Sequence, residues 1–145
     1  GRVRMLMQRR TDAPAFVETG WGLAESDDLL RWRWCGEAIP AEPAAWAYSG
    51  SVVAGGSALE AFHTVHAPDG ETQVRRTSYD GGATWSAASA LPVPRAAARR
   101  DPFVFAWGEG WRMLLARPCP WDGWQEAGPS VIEIWASPDR LDWTR

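Results

Sequence analysis

Lysine does not occur in this chain of 145 residues, and all fifteen of its basic residues are arginine. Acidic residues outnumber the basic ones, which leaves a formal net charge of -3 at pH 7. A protein without an excess of positive charge is a poor partner for nucleic acid or for an anionic membrane surface. The charge balance therefore favours a neutral ligand.

Cysteine and long apolar runs are also scarce. The two cysteines, Cys35 and Cys119, are far apart and lack the spacing of metal ligands. We expect free thiols, and one long-range disulfide between them stays open. No apolar stretch approaches the roughly 18 residues that a membrane-spanning helix requires. The sequence thus predicts no metal site, no bound cofactor and no membrane partner.

Patterns typical of helices are nearly absent, and short strand patterns bounded by Gly, Pro, Asp or Ser take their place. Residues 83–98 come closest to a helix, but Pro92 and Pro94 interrupt them, and they are predicted to form a loop. Pro68-Asp69-Gly70 and Gly108-Glu109-Gly110 are short enough for hairpin turns, so neighbouring strands should be antiparallel. These patterns predict an all-β fold. The predicted strands are Val3–Gln8, Trp21–Ser26, Val52–Ala54, Leu59–His66, Thr72–Ser78, Phe103–Trp107, Trp111–Ala116 and Val131–Ser137.

A weak internal repeat has the form Ser-x-Asp followed by Trp, with a period of about fifty to sixty residues. One repeat of that size is typical of a four-stranded blade of a β-propeller, which stacks on its neighbours to bury its faces. Ser and Asp side chains can cap the turn through local bonds to the backbone, while Trp packs beneath it. The second copy also matches the Asp box of sialidase-like propellers. The copies are Ser26, Asp28 and Trp32; Ser78, Asp80 and Trp85; and Ser137, Asp139 and Trp143.

Several motifs follow one another in a fixed order along the chain. They are Met7-Gln8, Trp21-Gly22-Leu23-Ala24, Ser26-Asp27-Asp28-Leu29-Leu30-Arg31-Trp32, Tyr48-Ser49-Gly50-Ser51, Arg100-Asp101-Pro102 and Ser137-Pro138-Asp139-Arg140-Leu141-Asp142-Trp143. This series resembles glycoside hydrolase family 32, the invertases, inulinases and levanases, over nearly the whole chain. The resemblance implies a five-bladed β-propeller and hydrolysis of β-fructofuranosides with retention of configuration.

The resemblance also implies that residues 1–145 form a single partial propeller domain. A complete five-bladed propeller is about twice as long, so about two to three antiparallel blades are expected here. The family's nucleophile lies in a Trp-Met-Asn-Asp-Pro-Asn-Gly type motif upstream of the segment that residues 1–8 resemble. Its acid/base Glu, followed by Cys, lies beyond the stretch that ends at Arg145. Neither motif occurs here, so this chain alone is expected to be inactive.

Asp101 matches the family's transition-state stabiliser, whose two carboxylate oxygens hold two fructosyl hydroxyls. Arg100 is its partner in the motif and could orient neighbouring carboxylates through a forked hydrogen bond. Successive strand residues face opposite sides, so both can reach one pocket only where the strand bends. Pro102 makes that bend plausible.

The resemblance assigns four further residues to substrate binding. Gln8 would hydrogen-bond a sugar hydroxyl, and Phe16 stands where an aromatic wall residue is expected. Tyr48 would pack its ring against the sugar, and Ser49 would donate a hydrogen bond to it. The segments near Gln8, Ser49 and Asp101 are predicted to be inner strands that converge on one funnel. Leu23 departs from the family, which commonly has His at that position.

Two other hypotheses stay open. One is a different five-bladed glycosidase, of the arabinanase/xylosidase or sialidase-like kind, which the Asp box supports. The other is a non-catalytic piece that binds sugar, because retaining hydrolysis needs two carboxylates that this chain does not supply. The substrate could be sucrose, inulin or levan, and the oligomeric state and compartment stay open. His63 and His66 match no motif and are predicted to be structural.

Overall fold

The computed structural model describes residues 1–10, 18–117 and 130–145, and all regular structure within these ranges is β-strand. The predicted all-β class is therefore confirmed. The strands are β1 (Val3–Arg10), β2 (Thr19–Ser26), β3 (Arg33–Ile39), β4 (Trp46–Gly55), β5 (Ala58–Ala67), β6 (Gly70–Ser78), β7 (Ser89–Ala90), β8 (Arg100–Trp107), β9 (Gly110–Arg117) and β10 (Val131–Ser137). Among the described residues, no helix is long and apolar enough to span a membrane.

The strands form three antiparallel sheets in which neighbours in the chain are neighbours in space. Sheet I has the order β1-β2-β3, sheet II the order β4-β5-β6-β7, and sheet III the order β8-β9-β10. Both predicted hairpins are present, and Gly70 and Gly108 adopt φ of 124° and 61°, which glycine reaches without strain. The Ala136–Thr144 bridge continues sheet III past β10.

Sheet II is the middle layer, because both faces of its strand β5 are covered. Ala61 and Phe62 are successive residues of β5 that point to opposite faces, and both have 0% exposure. Phe62 belongs to the core between sheets II and III, while Ala61 belongs to the core that joins sheet I to sheet II. The larger core also contains Val104, Met113, Leu115, Trp135 and Trp143, and the smaller one Trp21, Ile39 and Ala47.

The Ser-x-Asp repeat caps a turn in all three sheets, as the sequence predicts. In the loop after β2, the backbone N–H of Leu29 donates to Ser26 Oγ at 2.8 Å. The backbone N–H of Leu30 donates to Asp28 Oδ1 at 2.9 Å. Equivalent bonds are made around Ser78 and Asp80 after β6, and around Ser137 and Asp139 after β10. The indole N–H groups of Trp32, Trp85 and Trp143 each donate to a backbone carbonyl of the same turn.

The repeat fixes the equivalence of strands between sheets, and it corrects one expectation. In sheet II the turn separates the third strand, β6, from the fourth, β7. In sheet I it separates β2 from β3, so β1 is equivalent to β5, the second strand of its sheet. Gln8 on β1 therefore does not lie on an inner strand, contrary to the prediction. Gln8 instead contacts Ser49 of β4 from near the end of β1, the equivalent of the second strand of sheet II.

Candidate functional site

Two β-bulges lie next to each other where sheets II and III meet. In β4 the register passes from Ala47 opposite Val65 to Gly50 opposite His63, which leaves Tyr48-Ser49 opposite Thr64 alone. In β8 the register shifts in the same way over Asp101-Pro102. A bulge bends its strand and changes the direction of the side chains it carries. The bend that the sequence placed at Pro102 is present, and both motifs sit on bulges.

Gly50 shows why the first bulge needs a residue without a side chain. A Cβ at this position would lie 1.9 Å from the carbonyl oxygen of Phe62 and 2.7 Å from the Cα of His63. Both atoms belong to the backbone of the paired strand, so neither can move aside without displacing β5. Glycine is thus required for close approach of the two backbones.

The serines on either side of Gly50 join the three sheets. Ser49 Oγ donates to Gln8 Oε1 in sheet I at 2.9 Å. Ser51 Oγ donates to the carbonyl of Pro102 at 2.9 Å and accepts from the N–H of Val104 at 2.9 Å, both in sheet III. The Ser-Gly-Ser motif therefore brings Gln8 and the Asp101-Pro102 bulge to opposite sides of the same short segment.

Asp101 is held in a left-handed backbone conformation, with φ of 60°. A non-glycine residue there is uncommon and costs on the order of 1 kcal/mol or more. Its N–H donates to Thr64 Oγ1 at 3.0 Å, and the Thr64 hydroxyl donates to Gln73 Oε1 at 2.9 Å. Thr64 and Gln73 are buried, so a rigid polar network offsets the strain.

The Asp101 carboxylate belongs to the first residue of the bulge in β8. Burial of this group raises the pKa of Asp101; the Arg100 guanidinium opposes the rise, and the negative charge of Glu71 adds to it. The residue as a whole is exposed, so the carboxylate remains accessible to a ligand.

Arg100 is paired with a carboxylate that the sequence analysis did not single out. Its Nε lies 3.1 Å from Glu71 Oε2 and its terminal nitrogen 2.5 Å from Glu71 Oε1. Its guanidinium carbon lies 5.9 Å from the centre of the Tyr48 ring. Arg100 and Tyr48, from the two bulges, thus share one side of the site.

The ring of Tyr48 belongs to an aromatic stack with His66 and Trp46. The ring of His66 lies 4.8 Å from that of Tyr48 and 5.3 Å from that of Trp46, with interplanar angles of 11° and 15°. The indole N–H of Trp21, in the Trp-Gly motif, donates to the Tyr48 carbonyl at 2.9 Å. His66, which is predicted to be structural, thus packs against a predicted binding residue.

A cleft of about 750 Å³ opens beside this region, between β1 and β4. Gln8, Trp21 and Ser49 are among the residues that line it. Phe16 lies outside the described residues, as does Cys119, while Cys35 is an exposed free thiol. Leu23, which stands where the family commonly has His, is buried at 4% exposure and packs away from solvent.

Two pairs of predicted residues are in contact, Ser49 with Gln8 and Arg100 with the Tyr48 ring, and Asp101 follows Arg100 in the chain. Gln8 and Ser49 line the cleft, whereas Tyr48, Arg100 and Asp101 are not among its lining residues. Sequence reasoning missed Thr64, Gln73 and Glu71, which support the bulge from positions remote in the chain. Within the described ranges no group of His, Cys, Asp or Glu side chains is arranged to hold a metal ion. One accessible carboxylate, an amide, a hydroxyl, a guanidinium and an aromatic ring suit a neutral ligand rich in hydroxyl groups.

The comparisons with known proteins agree with the all-β fold. Residues 5–145 match the model of the glycosyl hydrolases family 32 N-terminal domain. The sucrose-6-phosphate hydrolase of Lactobacillus gasseri is 25% identical to this chain and has a TM-score of 0.80. The match covers 99% of this chain and 31% of that protein. A fructofuranosidase from Schwanniomyces occidentalis, solved in complex with fructose, is 25% identical and has a TM-score of 0.79. That match covers 99% of this chain and 30% of the fructofuranosidase. The exo-inulinase of Aspergillus awamori, at 21% identity and a TM-score of 0.76, shares the fold over 99% of this chain and 34% of that protein.

Proposed function

The chain belongs to glycosyl hydrolase family 32 and forms part of its five-bladed β-propeller, and from this membership we propose that it grips the fructosyl unit in a β-fructofuranosidase. It spans about a third of the length of the solved relatives named above. The observation that supports the proposal is the contact between the two bulges, since Asp101 donates to Thr64, the residue opposite Tyr48-Ser49, while Ser49 donates to Gln8.

We propose that Asp101 stabilises the transition state. A carboxylate can accept hydrogen bonds from two vicinal hydroxyls, and this grip strengthens as the sugar ring flattens toward an oxocarbenium ion. The strained but rigid backbone at Asp101 suits this role, because a fixed acceptor needs no reorganisation during the reaction. Gln8, Ser49 and Tyr48 would bind the same fructosyl unit, Arg100 would orient the carboxylates, and Phe16 would form part of an aromatic wall.

The two carboxylates that carry out retaining hydrolysis, about 5 to 5.5 Å apart, are proposed to come from other parts of a longer protein. Glu71, the other carboxylate beside the bulge, is buried and committed to Arg100. The chain alone would then bind a fructosyl unit without cleaving it. Sucrose, inulin and levan all carry such a unit.

The test is to assay a longer protein that contains this chain for release of fructose from sucrose, inulin and levan. Arabinan, xylan and a sialoside serve as comparison substrates. Fructose release with retained configuration at the anomeric carbon, and none from the isolated 145-residue chain, is the expected result. Cleavage of arabinan or the sialoside without fructose release would contradict the proposal, and so would activity of the isolated chain.

A further inference from the structure

Glu71 is a fully buried carboxylate at the start of β6, with 0% exposure of its side chain. Its Oε2 accepts hydrogen bonds from the N–H of Arg99 at 2.8 Å and from Arg100 Nε at 3.1 Å. Its Oε1 pairs with the terminal nitrogen of Arg100 and lies 3.3 Å from His66 Nδ1. Both oxygens are thus occupied by the two residues that precede Asp101 and by the ring that supports Tyr48.

The backbone of Glu71 is fixed as firmly as its side chain. Its N–H donates to the Ala96 carbonyl at 2.7 Å, and its carbonyl accepts from the Ala96 N–H at 3.3 Å. The fixed backbone and the further contacts of the carboxylate with the Arg99 N–H and His66 limit how far it can move with Arg100, so Glu71 sets the position of the guanidinium. That position is the one above the Tyr48 ring.

A buried ion pair is weak evidence for stability, because desolvation of the two charges offsets much of their attraction. The Glu71–Arg100 ion pair matters because Arg100 lies directly before the bulge that carries Asp101. Without Glu71 the guanidinium of Arg100 would be left with the neighbouring carboxylate of Asp101 as an attractive partner. A pairing of that kind would withdraw Asp101 from the sugar.

We propose that Glu71 is a positioning residue, which holds Arg100 against Tyr48 and thereby keeps the Asp101 carboxylate free for the fructosyl hydroxyls. The inference rests on the proposed function. Loss of the Glu71 charge would then lower kcat through displacement of Arg100, in addition to any loss of folding stability.

Glu133 provides a matched structural control. It is also buried, with 0% exposure, and it forms a forked pair with Arg99 at 2.8 and 3.2 Å. Its other partners are Trp135, Arg117 and Arg145, so its described contacts do not include Arg100 or Tyr48. Loss of either buried charge should destabilise the fold, but only loss of the Glu71 charge should alter the site.

The experiment compares Glu71→Gln, Glu133→Gln and Arg100→Ala in the longer active protein, together with the Glu71→Gln/Arg100→Ala double variant. We measure kcat and KM on sucrose and the melting temperature of each. We expect Glu71→Gln to lower kcat about tenfold to a hundredfold, as for misplaced catalytic groups. Glu133→Gln should lower the melting temperature similarly but leave kcat within about threefold. In the Arg100→Ala background, Glu71→Gln should have little further effect on kcat.

Equal losses of kcat in the two Glu variants, or additive losses in the double variant, would overturn the inference. If Glu71→Gln does not fold, Arg100→Lys replaces it, since a single ammonium cannot bridge both Glu71 oxygens as the guanidinium fork does. Native kcat in a folded Arg100→Lys variant would likewise overturn the inference. Absence of fructose release by the unsubstituted protein would instead refute the proposed function.

Discussion

Ser49 makes a single neutral hydrogen bond, which is expected to contribute less than a hydrogen bond to a charged group. Its hydroxyl donates to Gln8 Oε1, so it orients the amide as well as facing the cleft. We predict that Ser49→Ala lowers kcat/KM by a factor equivalent to about 0.5 to 1.5 kcal/mol. Steady-state kinetics on sucrose would measure it. A loss as large as that from removing a charged group would mean that Ser49 has a more direct role than sugar binding.

The raised pKa of Asp101 makes the stability of the folded state depend on pH. Burial raises the pKa of Asp101, with Arg100 opposing and Glu71 adding to the rise. The folded state then holds this proton more tightly than the unfolded chain does. The folded state therefore loses stability as pH rises from the ordinary aspartate pKa of about 3.9 through the raised value.

Asp101→Asn removes the charge and keeps the shape, so we predict a variant that is more stable than the native protein at neutral pH. The advantage should shrink as the pH falls toward about 3, where the native carboxyl is also neutral. Any benefit of asparagine in a left-handed conformation is independent of pH. Denaturation curves at several pH values separate the two contributions, and an advantage that does not change with pH would contradict the electrostatic part.

At the scale of the strand, the bulge in β4 depends on Gly50. We predict that Gly50→Ala destabilises the protein by about 3 kcal/mol, because the added methyl meets backbone atoms of β5 that cannot move aside. Gly108→Ala is the control, since a Cβ there meets nothing within 4 Å and only the φ of 61° is unfavourable, a cost of about 1 kcal/mol. Urea denaturation would compare them. Equal losses of stability in the two variants would show that the β5 backbone can shift to accommodate the added methyl group, contrary to this prediction.

Local patterns predicted some strands and turns well and others poorly. The Ser-x-Asp turns were predictable because every bond that caps them joins residues a few positions apart. The sequence indicated only Val52–Ala54 of β4, because Tyr48-Ser49-Gly50-Ser51 contains small and polar residues with low strand preference. Pairing with β5 and contact with β8 impose the extended conformation there. The strands β3 and β7 were not predicted either, and β7 (Ser89–Ala90) lies within the segment 83–98 that was predicted to be a loop.

The support of the site could not be predicted, because it joins residues far apart in the chain. Thr64 reaches Asp101 across 37 positions and Glu71 reaches Arg100 across 29. No periodicity marks such pairs, and only the stacking of sheet II on sheet III brings them together. The motif order predicted Asp101 and Ser49 as site residues, a role that remains a proposal, while their rigid frame became visible only in the structure.

At the scale of the molecule, the outer face of sheet III carries a row of exposed apolar side chains. Phe103, Trp107, Ile132 and Ile134 are each between 57% and 64% exposed. Paired residues place Phe103, Leu114 and Ile134 side by side on this face. A continuous apolar patch of this kind on a free surface favours association.

We therefore predict that the 145-residue chain produced alone self-associates at micromolar concentration. Ile134→Glu should reduce the association, because it places a charge in the middle of the patch. A matched control is Leu30→Glu, at an exposed leucine of the turn after β2. Sedimentation velocity would report the sizes. A monomeric chain, or equal effects of the two substitutions, would contradict the importance of this face.

The most direct test of the account is the turnover of Asp101→Ala in a longer, active protein that contains this chain. An interaction strongest in the transition state lowers the barrier more than it tightens substrate binding, so its loss falls on kcat more than on KM. Loss of the charged grip on two hydroxyls should cost about 3 to 5 kcal/mol, a fall in kcat of roughly a hundredfold to several thousandfold. If Asp101→Ala released fructose from sucrose nearly as fast as the native protein, Asp101 would not be the stabiliser and the proposed site would be wrong.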